Sequence, residues 1–196
     1  MGFDPSAADA APPPNTTEVP SYLGEDGWGL LYLNFLRICY DSPMNFSPIT
    51  DDLFIGTTPH KKDYETLRDL GVRLVLNMRF ERMPHRDPHP TPIQRLWLPT
   101  FDTPLIPIPI KPLLRGAKAA LETIQNGGKV FAHCAYGAHR GVTMGAAVLI
   151  AQGMNPFEAM ELIKSKRPQA DPDAYYIRPR ILKFAREWAE SSDSRR

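Results

Sequence analysis

His133-Cys134-Ala135-Tyr136-Gly137-Ala138-His139-Arg140-Gly141 decides how this chain is read. The residues before it, Lys129-Val130-Phe131-Ala132, are mostly apolar and read as a short buried strand. Those after it, Val142 to Gln152, form a continuous apolar run that reads as a buried helix. The segment between is therefore a strand-to-helix loop. Backbone N–H groups at a helix N-terminus converge on one point and carry partial positive charge, which suits a phosphate. Gly137 lets the loop curl where a Cβ would obstruct it. Arg140 presents a planar fork to two phosphate oxygens, which a Lys could not do. The same positive field favours a thiolate on Cys134, set for attack on phosphorus.

Outward from the loop, strands alternate with helices. Asp52 to Gly56 reads as a strand, and Thr58-Pro59 as an N-cap and first turn of a helix running to Leu70. Val72 to Asn77 is a second strand and Arg95 to Leu98 a third. Pro112 to Gln125 places Leu113, Ala117, Leu121 and Ile124 on one face, and Asn126-Gly127-Gly128 stops that helix. A helix from Pro156, capped by Asn155, and a last helix from Tyr175 to Ser191 complete the pattern. The expected fold is α/β, a central mixed, mostly parallel sheet flanked by helices.

The loop matches His-Cys-x-x-Gly-x-x-Arg residue by residue, through His133, Cys134, Gly137 and Arg140. In this the chain resembles the dual-specificity branch of the Cys-based protein phosphatases, over roughly residues 47 to 190. The resemblance implies a protein tyrosine phosphatase-like fold and a domain over 47–192. It implies that Cys134 is a nucleophile forming a phosphocysteine, that Arg140 binds phosphate and that His133 helps set the thiolate. The backbone of Ala135, Tyr136, Gly137, Ala138, His139 and Arg140 would cradle the phosphate. A leaving alkoxide also needs a proton. Asp102, in the Pro-rich loop after Leu96 to Leu98, stands where such enzymes keep their acid, with Asp87 as the runner-up. One position departs from the family. Ser or Thr usually follows the Arg, and here it is Gly141. That hydroxyl helps the thiolate leave, so slow breakdown of the phosphocysteine is expected. Thr143 should point elsewhere on the helix.

Composition limits the alternatives. The chain has 196 residues, 42% of them hydrophobic, enough for one core of ordinary size. A net charge of +1 argues against a nucleic-acid partner. Two cysteines, Cys39 and Cys134, make neither a disulfide scaffold nor a metal site, and a nucleophilic Cys suits a reducing compartment such as the cytoplasm. No metal and no cofactor are expected. Residues 1–27 are rich in Ala, Pro, Ser, Thr and acidic residues and read as disordered. Residues 28–46 read as an apolar helix and linker. A helix packed on the domain is the favoured reading of 28–40. A membrane-surface role is the weaker one, because Arg37 is the segment's one basic residue.

Three functions follow. The first is a phosphatase acting on phosphotyrosine, phosphoserine and phosphothreonine in proteins. The second is a phospholipid or inositol phosphate phosphatase on the same fold. Asn45 to Gly56, with Lys166-Arg167-Pro168 and Ile177-Arg178-Pro179, is loosely similar to the phosphatidylglycerophosphate phosphatases of the family. Arg178 would then sit near the cleft or merely cap the last helix. The third is a phosphate-binding pseudo-phosphatase stalled by Gly141. The segment from Arg79 to Arg95, with Arg82, Arg86, His85 and His89, either lines the cleft and draws in an anion or is a solvated loop.

Overall fold

The computed structural model describes residues 44–193. The disordered segment expected over 1–27 and the apolar helix expected over 28–40 lie outside the described residues. Ten elements follow one another: β1 (Phe46–Pro48), β2 (Leu53–Gly56), α1 (Asp63–Asp69), β3 (Val72–Arg79), β4 (Gln94–Thr100), α2 (Ile110–Gln125), β5 (Lys129–His133), α3 (Arg140–Ala151), α4 (Pro156–Lys166) and α5 (Arg178–Asp193). The sheet order is β1-β2-β5-β3-β4. β2, β5, β3 and β4 run parallel, and β1 alone is antiparallel. The sheet is mixed and mostly parallel, as the alternation of elements implied.

Strand β5 lies in the middle, paired to β2 on one side and β3 on the other. Its Val130, Phe131 and Ala132 are fully buried, because a parallel sheet is covered on both faces. Successive side chains go to opposite faces. Leu53, Ile55, Leu74, Leu76, Val130 and Ala132 join the core formed with α2, α3, α4 and α5. Phe54, Val75 and Phe131 join a smaller core with Tyr64 and Leu67 of α1. Helix α3 is buried along nearly its whole length, from Arg140 to Ile150. The unbroken apolar run that predicts it has no polar face because the sheet covers one side of it and other helices cover the rest.

Several boundaries differ from the expectation. The helix expected from Thr58-Pro59 begins only at Asp63, after Lys62, and Thr58 caps nothing. Its hydroxyl is turned inward instead, donating to Cys134 O at 3.1 Å and accepting from Arg79 Nη1 at 2.9 Å. Asp63 closes the start of α1 by accepting from His60 N–H at 2.7 Å. The last helix starts at Arg178, because Ala174 to Ile177 form a turn. Strand β1 has no pattern to announce it, being three residues long and ending in a Pro at the sheet edge.

Four loops follow the carboxyl ends of the four parallel strands. They carry Thr58, Cys134, Glu81 and Asp102, and they meet on one side of the sheet. Ligands in open α/β sheets bind at this edge.

Candidate active site

The chain between β5 and α3 folds with its carbonyls turned outward. Cys134 O accepts from Thr58 Oγ1 at 3.1 Å, and Tyr136 O and Gly137 O accept from Arg167 at 3.1 and 2.8 Å. Ala138 O accepts from Asp171 N–H at 3.0 Å, and His139 O from Thr143 N–H at 2.8 Å. Because each peptide is planar and trans, an outward carbonyl turns the next N–H inward. Gly137 N–H lies 3.2 Å from Cys134 Sγ. His139 is the N-cap of α3 and gives no side-chain bond to it. The first amides of α3 thus face the same space as the sulfur. Cys134 is a buried free thiol.

Arg167 holds this loop from behind. It is fully buried, and its third nitrogen reaches Ser47 Oγ of β1 at 3.4 Å. With its oxygen turned inward, the Gln169 amide accepts from Arg167 at 3.0 and 3.2 Å. Burial lowers the Arg167 pKa and the nearby Cys134 opposes the drop. Arg remains charged under such shifts, and its charge stands behind the thiol. Gly137 has a φ of +65°, and a Cβ there would meet Arg167 Nη2 at 2.6 Å and Gly56 O at 2.7 Å. Arg167 and Gly137 are one device.

Arg140 is 4% exposed and aimed by two partners. Glu81 takes the end of the guanidinium, with Nη1 to Oε2 at 2.8 Å and Nη2 to Oε1 at 3.1 Å. Thr100 O takes Nη1 at 3.1 Å. A guanidinium has five N–H donors. The side edge made by Nε–H and the remaining Nη2–H is left over, and Nε has no hydrogen-bond partner. Asp102 Oδ2 lies 3.3 Å from that Nε. Burial works against the Arg140 charge, and Glu81, Cys134 and Asp102 outweigh it and raise its pKa. Burial pushes Glu81 up as well, but its bonds from Arg140, its own backbone and Arg79 hold it at about 2.

Asn77 explains how Glu81 arrives there. It is a fully buried polar residue of β3, next to a register shift against β4. Its amide donates to Arg82 O at 2.8 Å, and its oxygen accepts from Arg79 N–H at 2.8 Å. The chain is thereby folded back after β3 and Glu81 meets Arg140. Arg79 bonds Glu81 Oε1 at 2.8 Å as well as Thr58.

Of the residues picked out by the sequence, Cys134, Gly137, His139, Arg140 and Asp102 come together. Asp102 also accepts from Tyr176 OH at 3.0 Å, and its Oδ1 is 3.3 Å from His139 Nδ1. His133 is wholly buried. Its Nδ1 is 3.4 Å from Cys134 O, its Nε2 has no partner, and burial drops its pKa to about 3. It is a neutral imidazole behind the loop. Asp87 has a different job. It accepts from Ile93 and His89 N–H at 2.7 and 3.0 Å and pairs with Arg68 at 2.9 Å, so it closes a turn far from Cys134. The basic segment splits likewise. Arg79 reaches the site, while Arg95 is spent on Pro84 O and His85 O. Arg178 lies 3.8 Å from Asp173 and over Phe157, at the start of α5. Thr143 Oγ1 bonds back to His139 O at 3.0 Å and is no substitute at position 141. Thr58, Glu81 and Tyr176 were not picked out from the sequence. Among the described residues no cluster of His, Cys, Asp and Glu is placed to hold a metal, and no helix is long and apolar enough to cross a membrane.

Comparison with known proteins agrees with this geometry. Residues 53–185 match the family described as the dual specificity phosphatase, catalytic domain. Dual specificity protein phosphatase 1 of Arabidopsis thaliana is 43% identical over 58 residues, which span 29% of this chain and 29% of that protein. The chain thus matches under a third of the length of that relative. Human DUSP28 shares the fold with a TM-score of 0.63 at 22% identity, over 78% of this chain and 97% of its own. PTPMT1 aligns with a TM-score of 0.63 at 26% identity, over 77% and 98% of the two chains, and has also been solved in complex with PI(5)P. Signature loop, parallel sheet and family match coincide on the same residues: the chain belongs to the dual specificity phosphatase catalytic-domain family, the Cys-based phosphatases.

Proposed function

We propose that this chain removes phosphate from phosphorylated Tyr, Ser and Thr residues of proteins through a phosphocysteine on Cys134. The observation that carries the reading is the side edge of Arg140, with Nε–H unpartnered beside the Cys134 loop and an acid 3.3 Å away. A phosphate dianion entering the loop takes that edge together with the inward amides. It displaces the Asp102 carboxylate from Arg140, and its negative charge favours the protonated acid. The Cys134 thiolate attacks phosphorus, the P–O bond to the leaving group breaks, and Asp102 gives its proton to the leaving oxygen. Asp102, now a carboxylate, then takes a proton from the water that attacks the phosphocysteine, and thiolate and inorganic phosphate result.

Position 141 governs that second step. A Cβ on Gly141 would lie 3.2 Å from Cys134 N and from His133 C, so a hydroxyl there would stand beside the nucleophile. Without it the leaving thiolate lacks a donor, and the phosphoenzyme persists.

A second reading, a phospholipid or inositol phosphate phosphatase, is favoured by the likeness to PTPMT1 and by the apolar rim beside the acid. Leu105 is 88% exposed, and the Phe80 and Phe101 rings lie 4.3 Å apart at a tilt of 32°, next to Glu81 and Asp102 in the chain.

Asp102→Asn tests the mechanism. It should lower kcat/KM, which reports the first step, at least about tenfold more on alkyl phosphates than on p-nitrophenyl phosphate, whose leaving group needs no proton. Equal losses would remove Asp102 from the role. Phosphopeptides set against short-chain lipid and inositol phosphates separate the two substrate classes.

A further inference from the structure

The loop that carries Asp102 is anchored at its far end, where Ile108 is buried and its carbonyl accepts from Arg180 Nε at 2.8 Å, but not at its tip. It passes through Pro104, Pro107 and Pro109, and Leu105 and Ile106 at its tip are exposed. Asp102 nevertheless has a defined place, because groups from two other elements meet its carboxylate. Tyr176 OH donates to Oδ1 at 3.0 Å. From the start of α3, His139 Nδ1 lies 3.3 Å from the same oxygen and Arg140 Nε 3.3 Å from Oδ2.

Tyr176 is itself fixed. It precedes Ile177, which is fully buried, in a turn closed by Ile177 N–H to Ala174 O at 2.8 Å. Upstream in the same segment, Asp171 N–H donates to Ala138 O of the catalytic loop at 3.0 Å. The Tyr176 ring packs 5.4 Å from His139 and 5.5 Å from Tyr175. One short stretch before α5 therefore touches the catalytic loop with its backbone and the acid with its phenol.

We propose that Tyr176 is a positioning residue for the proton donor, and that its hydroxyl docks the Asp102 loop over Cys134. The inference rests on the reading of Asp102 as the acid. Phosphate takes the Arg140 edge, so Asp102 loses a partner at the moment it must be held. Burial and the bond to Asp102 raise the Tyr176 pKa, so it stays a neutral phenol. A hydroxyl serves the carboxylate as a donor and the protonated acid as an acceptor, and so it holds Asp102 through the whole cycle.

Tyr176→Phe tests this, since it keeps the ring and its packing. The full chain and its Tyr176→Phe, Asp102→Asn and doubly substituted forms are assayed on an alkyl phosphate and on p-nitrophenyl phosphate. The expected result is a loss of about tenfold in kcat/KM on the alkyl ester, the parameter that reports the first step, on the scale of one hydrogen bond to a charged group. On the same measure the aryl ester should lose less than about twofold. Added to Asp102→Asn, the Phe substitution should cost nothing further. Full alkyl activity in Tyr176→Phe, equal losses on both esters, or a further loss on top of Asp102→Asn would overturn the proposal. Should Asp102→Asn by itself slow both esters equally, the reading of Asp102 fails and the proposal goes with it. Should only Tyr176→Phe lack the leaving-group dependence, the acid stands and the positioning role falls.

Discussion

Glu81 grips Arg140 by the end of its guanidinium, Oε2 on one terminal nitrogen at 2.8 Å and Oε1 on the other at 3.1 Å. The grip leaves the side edge for a ligand, so the carboxylate aims the arginine and does not compete with phosphate. Glu81→Gln keeps the shape but has one acceptor oxygen. Orthovanadate, which takes the phosphate position, should bind about tenfold more weakly to the variant, the scale of one charge-assisted hydrogen bond. Tighter vanadate binding would instead make Glu81 a rival anion.

Arg167→Met removes the charge behind the loop and leaves Tyr136 O and Gly137 O without donors. Each buried carbonyl left unpaired costs about 1–3 kcal/mol. Urea unfolding should show a loss of about 2–5 kcal/mol, with activity falling further than stability because the amides lose their aim. Arg167→Lys should restore only part of both, since an ammonium lacks the fork that serves two carbonyls. A Met variant as stable and active as the parent would show that the loop holds its own shape.

Gly141→Ser should speed phosphocysteine breakdown and shrink the burst in a rapid-mix experiment. The contact at 3.2 Å to Cys134 N and His133 C is tight, so the loop must give slightly. A cost of about 1 kcal/mol in stability is expected, the low end for overpacking. An unchanged second-step rate would dismiss the missing hydroxyl as the cause of slow release.

Acid should destabilise the fold in two stages. His133 drops from 6.5 to about 3 when buried, so below pH 6.5 the unfolded chain binds a proton that the folded one refuses. Stability then falls as pH drops from 6.5 toward 3, by up to about 1.4 kcal/mol per pH unit. Glu81 drops from 4.5 to about 2, so its contribution is complete above 4.5 and is lost as pH falls from there toward 2. Urea midpoints of the parent and of His133→Gln, measured from pH 7.5 to 5, should differ in slope. Parallel lines would mean that His133 is not the titrating group.

The signature loop was legible because its chemistry is local. A nucleophile, a glycine and an arginine must sit at set spacing on one turn of chain. The buried strand before it and the unbroken apolar helix after it were legible for the same reason. The nearness of Asp102 to Arg140 was legible from its Pro-rich loop, the strand ahead of it and the resemblance to the family. Glu81 and Thr58 were not, since the parallel sheet, not the sequence neighbourhood, brings them to the Cys134 loop, and Tyr176 was not, since the turn before α5 carries it to Asp102. Thr58-Pro59 even carries a false signal. The pair has the form of a helix start, but the Thr58 hydroxyl goes to Cys134 O. Asn77 is the one local clue to Glu81, a polar residue inside an apolar strand that must spend its amide on a turn. Arg167 stood out only as part of a loose likeness near Pro168, and its burial was unreadable because nothing in its own helix demands it.

The most direct measurement is a rapid-mix time course of p-nitrophenyl phosphate hydrolysis at mildly acidic pH, the parent beside Cys134→Ser. The parent should give a burst near one equivalent, then slow steady release, with both phases absent from Cys134→Ser. Release that survives in Cys134→Ser, or a folded parent that releases nothing from any phosphate ester, would contradict it.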